Sequence, residues 1–120
     1  MPMNPIESAP KDHYLMGYDA TYRRPFMMHW NVPAESFIES NSPDIAPATH
    51  WTFMPALPNA GGEGWLPLDQ APKEGYCLGF DECLKHPFVM KWSNEKKRFV
   101  VQHAFGDEVP TMFLPIPTVS

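Results

Sequence analysis

The sequence predicts a mainly β protein, in which short helices could still make it α+β, built from two tandem repeats of about 60 residues. Three observations lead there. The chain matches itself without a gap at an offset of 62, its 15 prolines in 120 residues exclude long helices, and its apolar residues fall in short runs bounded by turn residues.

At that offset Met3 to Trp30 aligns with Trp65 to Trp92, and eleven of twenty-eight positions are identical where roughly two are expected by chance. The identities are Pro5/Pro67, Ala9/Ala71, Pro10/Pro72, Lys11/Lys73, Tyr14/Tyr76, Gly17/Gly79, Asp19/Asp81, Pro25/Pro87, Phe26/Phe88, Met28/Met90 and Trp30/Trp92. Phe37/Phe99 and Thr49/Thr111 extend the match. Asn59 to Gly64 is polar and glycine-rich, the composition of a flexible connection, so the expected organisation is repeat 1 over 1–58, a linker over 59–64 and repeat 2 over 65–120. Some 60 residues bury little surface alone, so the copies are expected to pack as one pseudo-twofold globule.

Taken in order, Tyr14 to Asp19 and Tyr76 to Asp81 are aromatic and apolar runs after a Pro-Lys-acid turn and read as strands. Phe26 to Trp30 and Phe88 to Trp92, each directly after a proline, read as a second pair. Ser93 to Lys96 is a turn leading into Arg98 to Phe105, a hairpin that the first copy should repeat around Pro33 and Ala34. A short helix from Pro33 to Ser36 is the alternative, and the Phe37/Phe99 match favours the strand. Thr49 to Pro55 and Thr111 to Pro115 close each copy as strands that proline confines to edges or ends. Trp30 and Trp92, alternating with Phe residues, are expected in the core.

Composition bounds function. Nine Lys plus Arg against fourteen Asp plus Glu give a net charge of −5, which disfavours direct binding to a nucleic-acid backbone. No apolar run approaches a membrane span and the start lacks the regions of a signal peptide, so a soluble, unexported protein is expected, without a membrane partner. Cys77 and Cys83 have no metal-ligand spacing and read as a core thiol and a loop thiol. The five His are dispersed, and no phosphate loop or nucleophile elbow is present. No catalytic residue, metal ligand or cofactor is assigned, and a non-enzyme is expected.

The binding candidates follow from residue type. His50-Trp51 joins an imidazole to an aromatic plane that could stack a base, against the blander reading of a satisfied His beside a core Trp. Arg23-Arg24 and Lys85 recur at one offset and could meet a phosphate or an acidic surface, against a solvated loop. Lys11, Lys73, Tyr14 and Tyr76 recur in both copies, and turn chemistry is the competing explanation for the lysines.

Several motifs carry a resemblance. Trp65-Leu66-Pro67-Leu68, Ala71-Pro72-Lys73-Glu74-Gly75, Gly79-Phe80-Asp81 and Trp92, with Thr49-His50-Trp51 and Met54-Pro55-Ala56-Leu57-Pro58 in the other copy, resemble the phage and prophage domain-of-unknown-function family five-five-one, here in two divergent copies. The first copy departs by Met3, His13 and the inserted Thr52-Phe53, the second by Met112 and Phe113. The resemblance implies a phage setting, and with it the host cytoplasm, and no reaction. With an acidic, aromatic-rich chain, it leads to the expectation of a binding protein that inhibits a host or defence protein, which could present a basic nucleic-acid-binding surface. Sequestration of a small nucleotide or signalling molecule is the alternative, a small enzyme the third, and a homo-oligomer is compatible with either binding role.

Overall fold

A computed structural model describes residues 3–40, 42–103 and 108–116. The chain divides into two compact units, one running to Met54 and the other spanning Pro55–Ile116.

In the first unit, β1 (Asn4–Pro5), β2 (Leu15–Asp19), β3 (Arg24–Asn31), β4 (Ser36–Glu39) and β5 (His50–Phe53) form an antiparallel sheet in the order β1-β5-β2-β3-β4. The second unit holds β6 (Leu66–Pro67), β7 (Tyr76–Asp81), β8 (His86–Ser93), β9 (Arg98–Val101) and β10 (Met112–Pro115) in the order β6-β10-β7-β8-β9. Five strands match one for one at the offset of 62, and so do the 3-10 turns Ile6–Ser8 and Leu68–Gln70. The mainly β class and the repeated strand order are therefore both present.

Tight packing explains why the register survives sequence drift. A Cβ on Gly17 would collide with the Phe26 ring and lie 2.7 Å from Met28 Sδ, and one on Gly79 would meet Phe88 and Met90 in the same way. Each glycine sits opposite its phenylalanine in the β2/β3 or β7/β8 ladder, leaving room for the ring to lie flat over the strand. Around them, Leu15, Phe26, Met28, Phe37, Ala46 and Trp51 form the core of the first unit. Cys77, Phe88, Met90 and Phe113 are the buried residues at matching positions in the second. Met16, Leu78, Phe80 and Val89, which point to the other faces of their strands, are buried too, so these strands lack a clean polar alternation.

Three expectations change and one holds. The closing strands β5 and β10 are interior, each flanked by a two-residue strand; proline takes the edge in β1 and β6 and the end of β10, positions where its missing N–H removes no ladder bond. The strand expected over Arg98 to Phe105 stops at Val101, and residues 104–107 lie outside the described residues. The hairpin expected around Pro33 and Ala34 is present: these residues form a turn into β4, with Ala34 N–H donating to Asn31 Oδ1, and the alternative short helix does not form. Trp30 and Trp92 are half-buried at the rim of the core, because each lies near the end of its strand beside the turn.

The glycine-rich segment is a built turn. Pro58–Ala60 makes one 3-10 turn that ends on Gly61 at φ 81°, and the amides of Ala60 and Gly62 both donate to Leu57 O at 2.9 and 2.8 Å. Only glycine suits the left-handed position well, and Gly62 has no space for a Cβ against the Ala56 carbonyl. Trp65 Nε1–H then donates to that carbonyl at 2.9 Å.

Candidate interaction surfaces

The sequence candidates separate to opposite ends of the sheets. In each unit, one end of the sheet carries a hairpin tip, that of β2/β3 in the first and of β7/β8 in the second. Asp19 is buried, and its Oδ1 accepts the amides of Thr21 and Tyr22 at 2.9 and 3.4 Å; Asp81 Oδ1 accepts those of Cys83 and Leu84 at 2.8 and 3.1 Å. The recurrence of this Asp thus has the turn-chemistry explanation. Asp81 Oδ2 also accepts Val109 N–H at 2.9 Å, a bond the first copy cannot make because the matching residue is Pro47. The Val109 bond above all, then that of Leu84, holds the Asp81 carboxyl below its ordinary value against the opposing effect of burial, with Cys83 and the nearby His86 adding to the shift.

Each tip ends in an exposed apolar residue followed by a cation in the left-handed region: Tyr22 (80 % exposed) with Arg23 at φ 53°, and Leu84 (57 %) with Lys85 at φ 55°. Arg24, by contrast, is engaged. Its guanidinium grips the buried Glu39 carboxylate with Nη1 and Nη2 at 2.7 and 2.6 Å and lies 4.9 Å from the Phe26 ring centre. A phosphate at the first tip would find Arg24 committed to Glu39 and the Thr21 and Tyr22 amides committed to Asp19.

At the opposite end, Lys11 Nζ sits 4.3 Å over the Trp30 ring and Lys73 Nζ 4.5 Å over Trp92, while each Trp meets Phe37 or Phe99 edge to face at 5.1 Å. The recurring lysines thereby lid the half-buried indoles. Tyr76 carries Lys91 Nζ at 5.1 Å, and the same position in the first copy is His29, 5.0 Å from the Tyr14 ring. Among the described residues, the first unit alone adds further aromatic contacts here. His13 lies edge-on to Phe53 at 5.6 Å, Phe53 edge-on to Trp51 at 4.9 Å, and His13 Nδ1 is 2.6 Å from Asp12 Oδ1. Tyr14 and Phe53 are 65 % and 55 % exposed, the second copy having Pro115 in place of Phe53 and Gly75 in place of His13.

His50 and Trp51 do not share a site. Successive strand residues point to opposite faces. Trp51 is buried in the core and its Nε1–H donates to Ser8 Oγ at 3.0 Å, while His50 Nδ1 lies 2.8 Å from Thr49 Oγ1 on the other side. Sequence reasoning singled out neither His13 and Phe53 nor Glu39. The Phe53 signal was its place in a strand whose counterpart ends in Pro115, and the Glu39 signal was a carboxylate where the second copy has Val101.

Among the described residues no group of three or more His, Cys, Asp or Glu is arranged to hold a metal ion, and no helix is long and apolar enough to cross a membrane. No family model matches the chain, and no curated protein or solved structure is significantly similar to it.

Proposed function

We propose that the protein is a non-enzymatic, phage-type binding protein that occupies and inhibits a host or defence protein in the host cytoplasm, docking through the aromatic end of its first unit. The observation that carries this reading is the exposure of Tyr14 and Phe53 beside Asp12 and His13. Exposed aromatics ringed by polar groups are the composition of an interface anchor. Charge supports the kind of partner. Residues 1–54 hold six carboxylates against three cations, and two of those cations, Lys11 and Arg24, are engaged on Trp30 and Glu39. A net negative unit is steered toward a basic surface such as one that binds nucleic acid. The phage setting rests on the motif resemblance.

Native mass spectrometry of the protein purified from phage-infected cells tests the class of partner. A large added mass agrees with a protein, and an added mass of a few hundred daltons overturns it in favour of a nucleotide. With the protein partner in hand, Tyr14→Ala and Phe53→Ala should each weaken binding about tenfold or more, as truncation of an anchoring aromatic does. Asp12→Lys should slow association at low salt. Unchanged affinity in all three folded variants would remove this surface from consideration.

A further inference from the structure

We infer that the two hairpin tips are a second, duplicated contact surface, chemically opposite to the aromatic end, that takes an acidic protein segment bearing an apolar side chain. The inference is independent of the function proposed above and rests on what the two copies keep at these turns. Among the described residues, four matched hairpin positions hold a residue other than glycine in the left-handed conformation: Arg23 and Lys85 at the β2/β3 and β7/β8 tips, Glu35 and Lys97 at the β3/β4 and β8/β9 turns. This backbone region favours glycine, and any long polar side chain there is tolerated equally by the turn itself. At the second pair of turns the charge has changed sign between copies. At the tips it is positive in both, and the preceding residue is apolar and exposed in both, while the two positions before it change class from Ala20-Thr21 to Glu82-Cys83.

Turn geometry therefore does not account for the cations, and no internal partner does. Among the described residues, Lys11, Arg24, Lys73 and Lys91 each rest on a ring or a carboxylate, whereas neither an ion pair nor a ring contact involves Arg23 or Lys85, nor the exposed Lys96, Lys97 and Arg98 at the β8/β9 turn, which the first copy does not match in charge. The buried Asp19 and Asp81 hold each tip in shape through paired amides, so little ordering is left to be done on binding. An apolar side chain beside one unpaired cation fits a carboxylate next to an apolar patch. A free phosphate suits it less, because the neighbouring amides already serve Asp19 and Asp81.

The test uses the full chain and three probes in fluorescence titrations: peptides combining Asp and Glu with Leu and Phe, the same peptides with Lys and Arg in place of the acids, and inorganic pyrophosphate. The acidic apolar peptides should bind. Arg23→Gly with Lys85→Gly, which relieves the left-handed strain and so leaves the melting temperature unchanged or higher, should weaken them at least tenfold, and Tyr22→Ser with Leu84→Ser should do likewise. Glu35→Gly with Lys97→Gly should not. Absence of binding by the acidic peptides, preference for the basic ones, equal or tighter binding of pyrophosphate, or affinity unaffected by the tip substitutions would each overturn the inference.

Discussion

Gly17 and Gly79 show how one atom constrains a sheet. A methyl group at either position would have to displace a fully buried phenylalanine ring and a methionine sulfur that would lie only 2.7 Å from it, with no flexible surface group able to yield. Gly17→Ala and Gly79→Ala are each expected to destabilise by about 1–3 kcal/mol, the cost of overpacking, read by chemical denaturation. The cysteines differ by environment rather than by residue type. Burial pushes the Cys77 thiol up to about 11, while Cys83 is exposed on its tip. At pH 8 a thiol reagent should modify Cys83 quickly and Cys77 only after unfolding. Because the folded state keeps the Cys77 proton to higher pH than the unfolded chain does, the stability linked to it is complete below the ordinary thiol range and is lost as pH rises toward about 11.

At the scale of elements, the strands were legible because the repeat doubled every signal: a proline as the second residue of β3 and β8, an Asp ending β2 and β7, a Trp near the end of β3 and β8. What pairs across strands was less legible. The Arg24–Glu39 pair joins residues fifteen apart whose meeting depends on the β3/β4 register, and the lids on Trp30 and Trp92 come from lysines in a preceding loop. The split of His50 from Trp51 follows from strand alternation once the run is taken as β, yet adjacency in sequence suggested a joint site. Asp81 offers the clearest test of a turn element. Its lowered native pKa means that its contribution is full above the ordinary carboxylate range and fades as pH falls through the depressed value. Asp81→Asn should therefore lower the melting temperature at neutral pH and flatten the loss on the acid side. An unaltered acid limb would place the acid sensitivity on other carboxylates.

Over the whole molecule, the two units share strand order, register and glycine contacts but differ in one buried pair. The first joins β3 to β4 through Arg24 and Glu39; the second has His86 and Val101 at those positions. This difference makes the duplication testable by exchange. Replacing residues 14–31 by the sequence of 76–93 preserves the alignment of Gly17, Phe26 and Met28 with their counterparts, and keeps an Asp, an apolar residue and a cation at the tip. The exchanged hairpin nevertheless deletes the bidentate partner of Glu39, whose side chain is 4 % exposed. Removing one member of a buried ion pair costs about 3–5 kcal/mol, tempered here because the Arg24 side chain is 28 % exposed. The exchange alone should therefore be clearly destabilised, and adding Glu39→Val, the residue type at the matching position 101, should recover most of the loss. Recovery beyond the sum of the separate effects measures the coupling. Additive effects, with Glu39→Val harmful in both backgrounds, would show instead that the hairpins have diverged in their packing and that the shared register conceals two different cores.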